Sequence, residues 1–131
     1  MKQRTHNKID VEWSGKPLLL EEDYSKIRLN TNERMITDDT GLIHGGFIFS
    51  LADYAAMLAV NHPNVVLGSA EIKFLKPVRK EESLLAEGKV IEKKGKKNIV
   101  KVEVRRDNLL VCEGTFVCFI LEEHILKRDE R

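Results

Sequence analysis

One carboxylate in this chain stands where charge is expensive. Asp53 lies in Gly46 to Val60, G-F-I-F-S-L-A-D-Y-A-A-M-L-A-V, where every other residue except Ser50 and Tyr54 is apolar or small. A carboxylate among apolar groups needs a partner, a raised pKa or a chemical role. Gly45 and Gly46 open the same stretch. The first turn of a helix carries free N–H groups and the positive end of the dipole, and glycine lets an oxygen approach that backbone closely. Asp53 falls seven residues after Gly46, on roughly the same helical face. N–H donors fixed where a carbonyl develops negative charge, with a carboxylate near by, suit acyl transfer. Asp53 would then activate water or attack directly. The glycine pair alone would serve close packing equally well. The lone aspartate is what favours chemistry, because buried carboxylates are rare without cause.

Other chemistries lack their residues. The histidines stand apart at 6, 44, 62 and 124, and no second ligand follows His44 at helical spacing, so no metal site is expected. His44 reads as a residue that fixes the loop by hydrogen bonds. There is no G-x-S-x-G elbow and no glycine-rich phosphate loop, and no cofactor is expected. Cys112 and Cys118 lie mid-strand among apolar neighbours, an unreactive setting. Lys73, Lys76, Arg79 and Lys80 form a basic cluster. Such a cluster is either a solvated edge or a grip for the phosphates of a nucleotide-tailed substrate.

Composition bounds the partners. The chain has 131 residues, 22 Lys+Arg against 21 Asp+Glu, and a net charge of +1. That balance argues for neither nucleic acid nor an anionic membrane surface. A single domain over 1–131 is expected, with its core at about 15–121 and a charged tail at 122–131. The N-terminus has no apolar core for a signal peptide and no stretch reaches transmembrane length. Two cysteines six residues apart on one strand read as free buried thiols. A cytoplasmic protein is therefore expected.

The elements that must hold these residues follow from hydrophobic periodicity. His6 to Trp13 reads as a short helix before Gly15-Lys16-Pro17. Tyr24 to Asn30 alternates as a half-buried strand, with Leu18 to Leu20 read only as its approach. The apolar helix ends at Asn61-His62-Pro63, where asparagine can take the left-handed cap. Val65 to Leu75 then alternates, with Val66, Gly68, Ala70, Ile72 and Phe74 on one face and Leu67, Ser69, Glu71 and Lys73 on the other. Ser83 to Glu92, Ile99 to Arg106 and Leu109 to Leu121 complete four strands, turning at Gly95 and at Asp107-Asn108. The last run is apolar enough to pair on both sides. This order predicts an α+β fold, an antiparallel sheet curled around one long buried helix.

Gly41 to Asp53, G-L-I-H-G-G-F-I-F-S-L-A-D, resembles the H-G-G-x(6)-D signature of hotdog-fold acyl-CoA thioesterases of the phenylacetate-pathway type. Lys73-Phe74-Leu75-Lys76-Pro77 is similar to that family's strand ending in proline. The resemblance covers roughly 15–121 and implies a curved antiparallel sheet around a central helix. It also implies a homodimer with a continuous sheet, further association to a homotetramer or higher, and active sites at the dimer interface. Asp53 matches the catalytic carboxylate, and the backbone N–H of Gly45 or Gly46 matches the oxyanion donor. The resemblance implies an acyl-CoA substrate with its phosphates near basic residues such as Lys73, Lys76 and Arg79. Two positions depart from the pattern. Asp38 stands where many members carry Asn or Gln, and an ionised carboxylate accepts but does not donate. Leu67 stands where some members place Ser or Thr, with Ser69 two residues on. Asp38 and Asp53 would couple in titration if they share the site. Alongside the thioesterase reading stands a non-catalytic acyl-CoA-binding sensor or interaction module on the same fold.

Overall fold

A computed structural model describes residues 1–130. In chain order the elements are α1 (Val11–Ser14), β1 (Lys16–Glu21), β2 (Tyr24–Asn30), α2 (Gly45–Val60), β3 (Val65–Phe74), β4 (Ser83–Lys94), β5 (Lys97–Arg106), β6 (Leu109–Ile120) and α3 (Ile125–Asp129). The strands form one antiparallel sheet in the order β1-β2-β4-β5-β6-β3. Its inner face carries Ile27, Leu29, Leu84, Ala86, Val100, Val102, Val104, Phe116 and Cys118, all buried against α2. β5, and β4 as far as its bulge after Val90, achieve this by alternation, so Lys101 and Glu103 project from the outer face while the valines pack inward. This is the α+β hotdog arrangement, with β6 paired on both sides as its apolar run predicts. Cys112 and Cys118 are free buried thiols on β6, and among the described residues no helix is long and apolar enough to cross a membrane.

The C-terminal end of α2 is fixed by one residue. Asn61 adopts φ +50°, and its N–H donates to Met57 O at 2.8 Å. Its buried side chain also clamps the N-terminal segment, accepting from Arg4 N at 2.7 Å and donating to Lys2 O at 2.9 Å. Alanine there would strain the left-handed turn and leave both groups unpaired. Asn61→Ala should therefore cost about 2 kcal/mol, read as a lowered urea midpoint.

Three expectations need correction. A sixth strand, β1, occupies Lys16–Glu21. It is a short edge strand whose Leu18-Leu19-Leu20 run does not alternate, and only its pairing with β2 reveals it. The first helix covers only Val11–Ser14, because Asp10 caps it by accepting from Glu12 N and the segment before it turns at His6 with φ +55°. β3 does not keep one alternation. A bulge at Gly68 shifts the register, so Leu67 pairs with Cys118 while Ser69 pairs with Val117. Leu67 therefore faces inward with Ala70, Ile72 and Phe74, while Val66 and Ser69 face outward. Leu67 and Ser69 do not share a face. The charged tail forms a short exposed helix, α3, with His124 capping Leu126 N.

Candidate active site

α2 sets the geometry of the site. It is not buried all round: Ile48, Leu51, Ala52 and Tyr54 to Ala59 are buried, but Gly46 is exposed and Phe49, Ser50 and Asp53 are partly open. Gly46, Phe49 and Asp53 lie at helical spacing, so this stripe runs from the helix start to the carboxylate.

Asp53 Oδ1 is buried and has no hydrogen-bond partner among the described residues. Burial pushes the Asp53 carboxyl up from 3.8 to about 6. The wall against it is apolar. Phe49, one turn earlier, packs its ring on Phe116 at 5.8 Å. Cys118 lies on the same face of β6 as Phe116, and its thiol is pushed up to about 12 by burial and then by the charge of Asp53. Nothing acidic accounts for the behaviour of Asp53. Asp38 is fully exposed, and its carboxyl is held below its ordinary value by hydrogen bonds from the Thr40 hydroxyl and backbone N–H. The two acids therefore do not couple within the chain, because Asp38 is spent on its own turn.

The helix start is braced from two directions. His44 is the N-cap residue, and its N–H donates to Met35 O at 2.9 Å. Its ring makes no capping bond. It lies over Gly46 instead, so a Cβ there would come within 2.8 Å of His44 Nε2, and it meets the Phe47 ring edge-on at 6.0 Å. His44 thus fixes the loop through a hydrogen bond made by its backbone. The loop after β3 braces the other side: Ile43 N donates to Val78 O and Lys80 N to Gly41 O, each at 2.8 Å. The Phe74 ring packs on Gly45, 3.6 Å from where a Cβ would stand. The first-turn N–H groups of Gly45 and Gly46 consequently have no acceptor among the described residues, as a helix start dictates.

The basic cluster divides. Lys76, Arg79 and Lys80 are exposed on the loop beside Gly41 and Leu42, next to the helix start. Lys73 faces the opposite side of the sheet, paired with Glu113 in a shallow cleft with Glu71, Lys101 and Thr115. Among the described residues no group of three or more His, Cys, Asp or Glu could hold a metal ion. Phe49, with Phe47, Tyr54 and Met57, suggests an apolar pocket or core from the sequence alone, whereas sequence reasoning missed Phe116 and Cys118 as the facing wall. The inward alternation of β6 carried that signal, but the residue facing Asp53 depends on how the sheet curls.

The model of the thioesterase superfamily matches residues 40–113, which carry α2, β3, β4 and β5. The chain belongs to the thioesterase superfamily. Among curated relatives, it is 52% identical over 118 residues to a methylthioribose-1-phosphate isomerase of Aquifex aeolicus, covering 90% of this chain and 26% of that protein. It is 32% identical over 96 residues to the transcription factor FapR of Caldanaerobacter subterraneus, covering 73% of this chain and 48% of that protein. The chain thus spans about a quarter and about half of these relatives' lengths. Among solved structures, the uncharacterized protein PH1136 of Pyrococcus horikoshii superposes with a TM-score of 0.95 at 52% identity, over 96% of this chain and 97% of that one. A mutant form of the phenylacetic acid degradation protein PaaI of Thermus thermophilus superposes with a TM-score of 0.78 at 26% identity, over 85% and 97%. These matches bear out the resemblance of H-G-G-x(6)-D to the phenylacetate-type hotdog thioesterases. Within the superfamily, the shared region holds both the helix-start glycines and Asp53.

Proposed function

We propose that the chain hydrolyses acyl-CoA thioesters to a free acid and coenzyme A. The observation that carries this reading is Asp53: a carboxylate with a buried, unpartnered oxygen, one helical stripe away from unpaired glycine N–H groups. The thioester carbonyl oxygen would accept from Gly45 or Gly46 N–H as it gains charge. Ionised Asp53 would take a proton from the attacking water, or attack the carbonyl itself. Collapse of the tetrahedral intermediate then expels coenzyme A as the thiolate, leaving the free acid when water attacked, or, when Asp53 attacked, a mixed anhydride that water hydrolyses to the free acid and Asp53. Lys76 and Arg79, beside the helix start, suit the phosphates of the coenzyme, and Phe49, Phe74 and Leu67 suit the acyl group. The outer edge of β3 has no strand neighbour among the described residues, which supports a homodimer whose sheet continues across that edge and whose partner completes the pocket. A particle that stays monomeric in sedimentation at micromolar concentration would contradict the shared site.

The test is a panel of short-chain, long-chain and aryl acyl-CoA thioesters, with the released thiol followed by a chromogenic reagent. Because Asp53 must be ionised to act, turnover should rise with pH through about 6 and then level off. A profile flat across that range would sink the assignment. Cys112 and Cys118 are buried with thiols pushed up to about 11 and 12, so the folded protein should contribute little to the assay. A second reading, a non-catalytic acyl-CoA-binding module, is favoured by the similarity to a transcription factor and by Asp38, which offers no donor. Binding of acyl-CoA by calorimetry with no turnover of any thioester would decide for it.

A further inference from the structure

At the other end of α2 from Gly45, three of the four histidines gather round an arginine. Arg4, Thr5, His6 and Asn7 form one side of a cleft of about 420 Å³, and Asn64 and His124 lie across from them. His62 borders it, since Arg4 is near enough to lower its pKa after burial has done so. The chain brings these residues together from three places: the N-terminal segment clamped by Asn61, the turn into β3, and the cap of α3. Among the described residues no carboxylate lines the cleft, and the Arg4 guanidinium has no ion pair.

The ring tautomers decide what such a cleft could hold. His62 Nδ1 accepts from Asn64 N at 3.0 Å, and His124 Nδ1 accepts from Leu126 N at 3.1 Å. An Nδ1 that accepts carries no proton, so the neutral ring holds its proton on Nε2. His6 Nδ1 pairs with Thr5 Oγ1 at 2.8 Å, where either atom can be the donor. The His62 and His124 rings therefore present N–H donors even when neutral, and they are poor metal ligands because the free nitrogen is the protonated one. A guanidinium, imidazole N–H donors and the Asn7 and Asn64 amides together match a compact multivalent oxyanion.

We propose that this cleft binds a phosphate dianion, either free phosphate or the phosphomonoester of a nucleotide. The site lies away from Asp53 and stands whether or not Asp53 is catalytic. It is tested by titrating the ¹⁵N-labelled full chain with sodium phosphate, against sodium chloride at equal ionic strength, and following ¹H–¹⁵N correlations. Saturable shifts are expected at Thr5, Asn7, Asn64, Val65 and the His124 ring. The exposed double substitution Arg4→Gln/His124→Gln should weaken the affinity by at least about tenfold while the rest of the spectrum stays in place. Coenzyme A and its analogue lacking the 3′-phosphate distinguish the sources. Displacement of phosphate by the former alone identifies the nucleotide, and displacement by neither identifies free phosphate. Shifts that grow without saturation, or an affinity unchanged in the double variant, would overturn the proposal. So would an acidic peptide that saturates the cleft where phosphate does not.

Discussion

Asp53→Asn should remove thioester turnover and make the protein more stable at the same time. The loss follows from the chemistry. Asparagine can neither take a proton from water nor attack a thioester, and removing a general base costs roughly 10²- to 10⁴-fold. The gain follows from burial. The Asp53 carboxyl is raised from 3.8 to about 6 in the folded chain, with desolvation as the cause and no partner on Oδ1. Below pH 3.8 the group is protonated in both states. Between there and about 6 the folded chain holds a proton that the unfolded chain releases, so stability falls as pH rises. Above about 6 the loss is constant, on the order of 3 kcal/mol if the whole rise counts. A neutral amide escapes that loss but still leaves a polar group in the wall, so a gain of about 1–3 kcal/mol is expected above neutral pH. It should disappear near pH 4. Denaturant titrations of both proteins at the two pH values, with kcat on the best thioester, check every part. Turnover at the wild-type rate would remove Asp53 from the mechanism. A midpoint lowered above neutral pH would show that its carboxylate has a partner after all.

That pairing of lost activity with gained stability was half legible in the sequence. The cost of Asp53 could be read from its neighbours alone, because a charge inside G-F-I-F-S-L-A-D-Y-A-A-M is costly in any fold that buries the segment. The Asn61 cap and the turns at Gly95 and Asp107 were equally local, since positive φ is a property of single residues. What could not be read was anything set by pairing across strands. The bulge at Gly68 exists because β3 and β6 align on either side of it, with the Phe119 ring packed 2.4 Å from where a Gly68 Cβ would stand. It reverses the side on which Ser69 emerges, and strict alternation has no term for that. β1 escaped notice for the same reason: its leucines neither alternate nor bury evenly. Asp38 shows a local partner that motif spacing does not reveal. Its place before the H-G-G motif drew it towards the site, while its own Thr40 two residues on supplied a more local partner.

Gly88→Ala should be among the most destabilising single methyl additions in the chain, because it strikes the point where the sheet touches the helix that carries Asp53. A Cβ on Gly88 would lie 2.6 Å from Ala55 O and 3.0 Å from Ala55 C, both backbone atoms of α2. A flexible side chain could swing away; a helical carbonyl can move only with its helix. The same carbonyl accepts a hydrogen bond from Ser25 Oγ at 2.6 Å, and Ser25 pairs with Gly88 across β2 and β4. One methyl group would thus force overpacking and stretch a buried hydrogen bond together, about 2–4 kcal/mol in all. Ser25→Ala loses only the hydrogen bond and should cost about 1 kcal/mol. Gly88→Val should be worse than Gly88→Ala. Urea midpoints of the three variants give the order directly. Ala55 lies two residues after Asp53, so displacing α2 moves the carboxylate and the helix-start N–H groups relative to the sheet. Gly88→Ala should then lower kcat at temperatures where it is still folded, whereas Ser25→Ala should not. Equal midpoints for Gly88→Ala and wild type would mean that β4 and α2 can part without cost, and that the sheet does not hold Asp53 in place.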